Sequence, residues 1–420
     1  MTIRHLLLTA FVLVAACAAP DNTQQNSAVV PAPVVEPVLS DVVEPVLSGV
    51  RRSEAVPTND SILFWTPAET EVGFRSIDKI APQAVRVVKR GDTVREFKRA
   101  AAPALDVRFN IGDKAHDTTS YMTDVRVSGL VVVKDGEILL EQYGLGRRPE
   151  DRWISFSVTK SLTSTLIGAA IKDGSIKSLD DTLDQYVEEM KGSVYAGVTI
   201  RHLLTMSSGV KWNEDYTDSN SDVARAGRVQ FEGEKSPILG YMRRLDRALP
   251  AGEKFHYSTG ETDLAGYVVS RATGMTMAEY LSKKIWAPYG MEQDAVWLMD
   301  SSGHERGGCC LNMTLRDYAR IGQFMLEDGA GVTTAGWVKE ATSSLLPVGD
   351  GPEAGGYGYF WWIKDDRFDA LGIFGQMIHV DPEEKLIIAI NSAWPYATNR
   401  DYSVARMAFV NAAAEAAKNR

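Results

Sequence analysis

The sequence predicts an α/β fold of the α+β type, in which both ends of the folded region contribute strands to one sheet. Residues 129–133 and 138–143 flank a tight-turn signal, Asp135-Gly136, and this pattern predicts a β-hairpin. The C-terminal quarter carries further strand patterns, at 357–363, 369–374, 377–380 and 386–391. Helical spacing dominates the region between them. We therefore expect a sheet from about 61–155 and 350–420, with a helical insertion at about 156–349.

The start of the chain is typical of an export signal. Arg4 and His5 precede an apolar run, residues 6–16, that is too short to span a membrane comfortably. The run ends in Ala15-Ala16-Cys17, which resembles the lipobox of bacterial lipoproteins. We expect residues 1–16 to be a signal peptide and Cys17 to be acylated in the periplasm, which would anchor the protein to a membrane. A plain cleaved signal is the alternative.

Residues 17–60 are rich in proline and small residues, without periodicity, and predict a lipid-anchored tether rather than a domain. The remaining chain, residues 61–420, is long enough for one large domain or two of medium size. The net charge of −10 and the lack of a long Lys/Arg run argue against a nucleic-acid partner. Cys309 and Cys310 are adjacent, and adjacent cysteines rarely bond to each other, so we expect two small buried residues.

The helices can be placed in order along the insertion. The first begins at Ser157, repeats apolar residues at helical spacing through Ile171 and ends at Gly174. Thr314-Leu315-Arg316-Asp317 resembles a capping box that starts another. The remaining helices are expected at 179–190, 199–206, 237–245, after Gly260, and at 403–417.

A serine three residues before a lysine is the pattern that carries chemistry. At the start of a helix, Ser157 and Lys160 lie on one face, and a desolvated lysine amine can take the proton of a serine hydroxyl. Free N–H groups at the helix N-terminus could stabilise an oxyanion. The same spacing occurs at Ser76…Lys79 and Ser208…Lys211, so the pattern alone does not decide between the three.

Other common chemistries lack their motifs. The chain has no Gly-x-Ser-x-Gly, no His-Glu-x-x-His and no Gly-Lys phosphate loop. Its six histidines are scattered without metal-ligand spacing, so we predict neither a metal nor a cofactor.

Seven short motifs occur in the order of a known family, and the resemblance that they carry covers roughly residues 120–395. They are Val131–Gly136, Ser157–Ser161, Leu203–Gly209, Asn213–Tyr216, Pro250–Thr259, Tyr357–Trp362 and Gly372–Gln376. In this the chain resembles the serine β-lactamase and penicillin-binding-protein superfamily, in particular its esterase and 6-aminohexanoate-dimer-hydrolase branch. The resemblance implies a β-lactamase/transpeptidase-like fold, with an antiparallel sheet flanked by helices and an α-helical region. It also selects Ser157 over Ser76 and Ser208.

The resemblance implies a role for each matching residue. Ser157 would be the acylated nucleophile and Lys160 its proton acceptor. Tyr257 would pass a proton to the leaving group, provided that cations or hydrogen bonds lower its pKa. The backbone N–H groups of Ser157 and Gln376 would form the oxyanion hole. Tyr216 matches a substrate-side tyrosine, although an exposed loop tyrosine is an equal alternative.

Two positions depart from the family pattern. Thr259 replaces the amide of Tyr-x-Asn, and Ile373-Phe374-Gly375 stands where the family has Lys-Thr-Gly or His-x-Gly. The cation that would receive a substrate carboxylate is therefore absent, which argues against β-lactams and D-Ala-D-Ala peptides. We expect Thr259, Ile373 and Gly375 to contact substrate all the same.

The sequence therefore predicts a lipid-anchored periplasmic serine hydrolase that acts on a small ester or amide through an acyl-enzyme. The alternative within enzymes is a D-Ala-D-Ala carboxypeptidase or weak β-lactamase. The alternative of another class is an inactive binding lipoprotein on the same fold, which the intact Ser157, Lys160 and Tyr257 oppose.

Overall fold

The structure is a computed structural model that describes residues 57, 62–101, 104–348, 355–418 and 420. The signal peptide, Cys17 and almost all of the tether lie outside the described residues. The strands are β1 Val85–Val88, β2 Lys98–Arg99, β3 Arg108–Ile111, β4 Lys114–Asp117, β5 Val127–Lys134, β6 Glu137–Tyr143, β7 Trp153–Ile154, β8 Ala295–Leu298, β9 Leu311–Met313, β10 Leu346–Val348, β11 Gly355–Tyr357, β12 Trp362–Lys364, β13 Arg367–Gly372, β14 Gln376–Asp381 and β15 Leu386–Ser392. The α-helices are α1 Pro67–Gly73, α2 Ile77–Ile80, α3 Thr118–Asp124, α4 Val158–Lys172, α5 Leu183–Tyr186, α6 Ile200–Leu204, α7 Asp222–Arg225, α8 Pro237–Met242, α9 Thr259–Thr273, α10 Met277–Leu281, α11 Leu315–Leu326, α12 Trp337–Ala341 and α13 Arg400–Ala417.

The main sheet joins the two ends of the folded region, as predicted. Its strand order is β10-β11-β12-β13-β14-β15-β5-β6-β2, and every neighbouring pair is antiparallel except β2 and β6. The contact between β15 and β5 connects the C-terminal strands to the predicted hairpin, with Ile388 opposite Val132. This α+β arrangement confirms the predicted fold class.

The central strands β5, β14 and β15 are buried on both faces, because apolar residues occupy most positions on each face. Along β5, Val131 and Val133 belong to one core cluster, whereas Leu130 and Val132 belong to the other. Helix α11 packs against one face of the sheet, where it contacts β5, β14 and β15. The cluster on the opposite face includes Phe409 of α13, which stacks on Tyr121 of α3 at a ring-centroid distance of 4.6 Å.

A second, four-stranded sheet has the order β1-β8-β9-β7 and was not predicted. It pairs Val85 with Leu298 and Trp153 with Met313, strands that lie far apart in the sequence. This sheet carries the short strand that leads to Ser157, so it helps to fix the position of the predicted nucleophile.

Several predicted elements are shorter than the patterns suggested. The expected strand at 357–363 is two strands, β11 and β12, separated by a turn in which Phe360 has a φ of 62°. The expected strand at 369–374 ends at Gly372, and residues Ile373–Gly375 form a single 3₁₀ turn. The helices expected at 179–190 and 199–206 are reduced to single turns, α5 and α6.

The structure confirms the local sequence signals for where two helices begin or end. Thr314 caps α11, since its hydroxyl accepts the N–H of Asp317. Gly174 follows α4 with a φ of 76°, the left-handed conformation expected after a helix.

The prediction that Cys309 and Cys310 do not bond to each other is wrong, because the structure pairs them as a disulfide. Cys310 is buried as expected, and Cys309 is half-buried.

Candidate active site

Ser157 lies at the junction between β7 and α4, and it is the N-cap residue of that helix. The preceding residue, Phe156, has a φ of 45°, a left-handed conformation that is unusual for a bulky residue. The N–H of Ser155 donates to the carbonyl of Leu311 in β9 at 2.9 Å, which fixes the approach to the turn. The fold therefore holds Ser157 at a sharp bend where its hydroxyl can face a cavity.

Lys160 is on the next turn of α4 and is buried, with 1% of its surface exposed. Its Nζ lies 3.2 Å from the Oγ of Ser157, 3.0 Å from the Oγ1 of Thr259 and 2.7 Å from the carbonyl oxygen of Gly308. Burial lowers the pKa of Lys160 from its ordinary value to about 8, and the carboxylates of Glu214 and Asp263 partly oppose this effect. A useful fraction of the amine is therefore neutral near physiological pH, as a general base requires.

The two rival matches do not form such a pair. Lys79 and Lys211 are exposed, and among the described residues neither side-chain amine is hydrogen-bonded to the hydroxyl of its serine. The buried Ser208 instead donates to the carboxylate of Glu261. Of the three Ser-x-x-Lys patterns in the described part of the chain, only Ser157…Lys160 brings hydroxyl and amine together.

An ion pair holds the loop whose Gly308 carbonyl accepts a hydrogen bond from Lys160. Asp263 of α9 accepts from the Nε and Nη2 of Arg306, at 3.0 and 2.8 Å, and from the N–H of Gly308 at 3.0 Å. A Cβ on Gly308 would lie 2.7 Å from the Cγ2 of Thr259, so a glycine is needed for this close approach. The contacts place the Gly308 carbonyl where it accepts from the lysine.

Glu214 is a functional candidate that the sequence reasoning missed. Its half-buried carboxylate accepts from the N–H of Thr259 at 3.0 Å and from the hydroxyl of Tyr216 at 2.8 Å. It also accepts from the Thr259 hydroxyl and from the Nε1 of Trp212. In the sequence, Glu214 is only one residue of the motif around Tyr216. Its convergence with Thr259 depends on tertiary structure, which local pattern does not show.

Tyr257 contacts both members of the pair. The side chain of Ser157 is close enough to the Tyr257 hydroxyl to lower the pKa of the tyrosine, and the Nζ of Lys160 lies 5.3 Å from the centre of its ring. The ring stacks on Trp362 at 5.8 Å, so the Tyr357–Trp362 motif helps to orient it. The condition of a lowered pKa is not met: burial, reinforced by Glu214, raises the pKa of Tyr257 above its ordinary value. Tyr257 is therefore a neutral phenol, able to accept one proton while it donates another.

The predicted oxyanion donors differ in their surroundings. The N–H of Ser157 donates to no acceptor within the described residues, as an oxyanion donor should. Gln376 is fully buried, and its side-chain amide donates to the carbonyls of Phe374 and Ser392, at 3.0 and 2.8 Å. Ile373, by contrast, lines the same cavity as Ser157. Because Ile373 lies on the cavity wall, we take its backbone N–H as an alternative to that of Gln376 for the second donor, and both assignments stay predictions.

The glycine that approaches the turn before the nucleophile is Gly372, at the end of β13, and not Gly375. A Cβ on Gly372 would lie 2.6 Å from the carbonyl oxygen of Ser155 and 3.2 Å from the Cβ of Phe156. Gly375 has a φ of 89° and packs against Trp394, away from the cavity wall in the described structure. Its glycine is needed for the turn rather than for substrate contact.

A cavity of about 150 Å³ opens beside Ser157. Of the predicted substrate-side residues, Tyr216, Thr259 and Ile373 line it. The remaining wall is largely apolar and includes two arginines; its other residues are Ile62, Leu63, Phe156, Val223, Ala224, Gly227, Arg228, Leu298, Arg306, Gly308, Cys309 and Cys310. Glu214 lies behind Thr259 and Tyr216 rather than on the wall.

The fold, together with a buried lysine beside a serine at a helix N-terminus, defines a hydrolase of the β-lactamase fold. Comparison with known proteins confirms the family resemblance. The chain belongs to the Beta-lactamase family, whose model matches residues 116–415.

Two relatives show the branch and the fold. The chain is 30% identical over 299 residues to the 6-aminohexanoate-dimer hydrolase of Paenarthrobacter ureafaciens, covering 66% of this chain and 76% of that protein. A solved structure from Bacillus anthracis, which bears the provisional name 6-aminohexanoate-dimer hydrolase, superimposes with a TM-score of 0.72 at 23% identity. That superposition covers 82% of this chain and 94% of the other.

A shorter match is to the lovastatin esterase of Penicillium rubens, 29% identical over 151 residues, or 32% of this chain and 37% of that protein. The chain therefore spans just over a third of this relative. Amide- and ester-cleaving names both occur among the proteins that it is similar to.

Proposed function

We propose that this protein is a serine hydrolase that forms an acyl-enzyme at Ser157 and cleaves an ester or amide of a small substrate. The observation that carries the proposal is the 3.2 Å contact between the Ser157 hydroxyl and a buried Lys160 amine whose pKa is lowered to about 8. A serine needs an adjacent base to become a nucleophile, and this amine can supply it.

The site supports each proton transfer of the reaction. The neutral Lys160 amine takes the proton of Ser157 as its oxygen bonds to the substrate carbonyl carbon, and the developing oxyanion accepts from the backbone N–H groups of Ser157 and of either Ile373 or Gln376. The lysine proton then passes through the Tyr257 hydroxyl to the leaving alcohol or amine as its bond to carbon breaks. Water repeats the sequence on the acyl-enzyme, releasing the acid and restoring the serine.

The ester or amide class draws on the relatives as well as on the site. One is named as a 6-aminohexanoate-dimer hydrolase and another as a lovastatin esterase. A D-Ala-D-Ala carboxypeptidase or weak β-lactamase is less well supported, because residues 370–376, which include the turn after β13, carry no cation to bind the substrate carboxylate. The contacts that tune Lys160 would serve no purpose in an inactive binding protein.

Labelling with a fluorophosphonate probe tests the proposal. We expect one adduct on the wild-type protein by intact mass, mapped to Ser157, and none on Ser157→Ala. Ser76→Ala is a matched control, since it removes a serine of the same pattern and should label normally. An adduct on Ser76 or Ser208, or no adduct at all, would contradict the assignment.

We further propose that the protein is held at a bacterial membrane in the periplasm by a lipid on Cys17. The apolar run that ends in Ala15-Ala16-Cys17 supports this. Among the described residues, none of the helices has the length and apolar character needed to cross a bilayer. In the native host, Cys17→Ser should move the protein from the membrane to the soluble periplasmic fraction or leave its signal uncleaved. Wild-type protein that is unlipidated and begins elsewhere would reject the anchor.

A further inference from the structure

A turn ahead of the family-matched region takes part in the candidate active site. Residues Ile62–Phe64 form a single 3₁₀ turn that precedes α1. The family model begins at residue 116, so this turn lies outside it. Nevertheless, Ile62 and Leu63 line the cavity that contains Ser157. We call residues 62–64 the N-terminal turn.

The N-terminal turn is followed by a well-anchored segment. Trp65 is buried and packs against Phe74 at a ring-centroid distance of 6.1 Å. Thr66 caps α1, and its side chain and that of Glu69 form a reciprocal capping box. These contacts hold the start of α1 in place, and with it the turn that precedes it.

The same segment supports the nucleophile turn directly. Phe74 is fully buried, and its ring makes edge contacts with Phe156 at 5.1 Å and with Phe374 at 5.3 Å. The carbonyl of Phe74 accepts the N–H of Ile154 at 2.9 Å. The segment is thus packed against both the residue before Ser157 and the turn that contains Ile373. Its position relative to the reacting group is fixed by direct contacts.

The side chains of the N-terminal turn face two environments. Ile62 and Leu63 are half-buried and pack against the same core cluster as Ile373 and Leu298, which also line the cavity. Phe64 is not on the cavity wall of the described structure and is 39% exposed. The apolar contribution to the cavity therefore comes from the first two residues of the turn.

We propose that Ile62 and Leu63 determine acyl-chain specificity, by forming the apolar wall that limits the length of the group bound beside Ser157. This inference rests on the proposed acyl-enzyme function. A cavity of about 150 Å³ accommodates a group about the size of benzene. The substrate class is then an ester or amide of a short, apolar acyl group, with the N-terminal turn closing the end of its site.

Chain-length selectivity tests the proposal. We would measure kcat/KM for p-nitrophenyl acetate, butyrate and octanoate with wild type, Ile62→Ala, Leu63→Ala and the double variant. Removing the wall should raise the octanoate-to-acetate ratio by about tenfold, since a change of one or two methylenes in an apolar pocket discriminates by this order. Phe64→Ala is the matched control from the same turn and should leave the ratio unchanged.

A variant that fills the cavity keeps the proposal testable if the alanine variants of Ile62 and Leu63 fail to fold. Leu63→Trp should lower butyrate and octanoate turnover more than acetate turnover, with an unchanged circular dichroism spectrum. If wild type is active and labelled at Ser157 but none of these variants changes the ratio, the inference about the turn is overturned alone. If wild type hydrolyses no ester and takes no label, the proposed function fails and the inference fails with it.

Discussion

The backbone N–H and the side-chain hydroxyl of Thr259 both donate to the carboxylate of Glu214. The oxygen of the same hydroxyl accepts from the Nζ of Lys160 at 3.0 Å. Threonine thus fills the position where the family has an amide, and it still connects the lysine to a partner. The connection continues to a carboxylate, so the charge of Glu214 acts on the base through one intervening side chain.

The pH dependence of the reaction should report the protonation of Lys160. Burial disfavours the ammonium form and lowers the pKa of Lys160 to about 8, so the neutral base accumulates as the pH rises through that value. We expect kcat/KM for p-nitrophenyl acetate to increase about tenfold between pH 7 and pH 9 and then to level. Rates are corrected for spontaneous hydrolysis. A profile that is flat or falls over this range would show that Lys160 is not the base.

Removing the charge of Glu214 should move that profile. The carboxylate raises the pKa of Lys160 against the effect of burial, so Glu214→Gln should lower the pKa further and shift the midpoint to lower pH. The plateau should also fall, because a neutral amide replaces a carboxylate that accepts from Thr259, Tyr216 and Trp212.

Asp215→Asn is the matched control for Glu214→Gln. The Asp215 carboxylate accepts from the N–H and hydroxyl of Thr217, at 2.8 and 2.7 Å, within its own loop. Its removal takes away one negative charge next to Glu214 in the sequence without touching Thr259. A midpoint that stays in place in Glu214→Gln, or moves to higher pH, would mean that the carboxylate does not tune the lysine.

Tyr257→Phe should lower kcat far more than it raises KM. The hydroxyl contacts the Ser157 side chain, whereas the ring stacks on Trp362, and phenylalanine keeps the ring. The loss should be on the order of 10²-fold or more, as for other general acid–base groups, and Lys160→Ala should show a loss of the same order. Lys172→Ala, at the other end of α4, is the control. Wild-type turnover by Tyr257→Phe on esters and amides alike would give the tyrosine another role.

The parts of the site that could be predicted from the sequence depend on short-range geometry. Ser157 and Lys160 are three residues apart in one helix, so their contact follows from helical spacing once the helix is located. The hairpin turn at Asp135-Gly136 and the cap at Thr314 are likewise local. These predictions needed no knowledge of how distant segments pack.

The parts that escaped prediction depend on contacts between distant segments or on backbone turns without a sequence signal. Glu214 meets Thr259 across 45 residues, and the contact of Phe74 with Phe156 and Phe374 crosses most of the chain. In the turn at Ile373–Gly375, Phe374 has a φ of 58°. A phenylalanine gives no signal in the sequence for this left-handed conformation. That turn ended the expected strand early and put Ile373, rather than Gln376, on the cavity wall.

The cavity wall also predicts how the enzyme treats β-lactams. Residues 370–376 contain no cation, and Ile373 faces the cavity beside Ser157. A charge-assisted hydrogen bond to a substrate carboxylate is worth about 1.5–3 kcal/mol, or about 10- to 150-fold in binding. Without it a nitrocefin carboxylate placed at this position would be partly desolvated against the apolar side chain of Ile373. We expect poor nitrocefin turnover beside measurable hydrolysis of short neutral esters.

Ile373→Lys should shift the ratio of kcat/KM for nitrocefin over p-nitrophenyl acetate toward nitrocefin. Ile373→Met is the matched control, because methionine is long and unbranched like lysine but carries no charge. It should leave the ratio near the wild-type value. The comparison is internal, so a general loss of activity cannot imitate it. Arg228 also lines the cavity, so Arg228→Gln is measured in parallel. If wild type already prefers nitrocefin by a wide margin and Arg228→Gln abolishes that preference, the carboxylate binds to Arg228, and the role given to the position of Ile373 is incorrect.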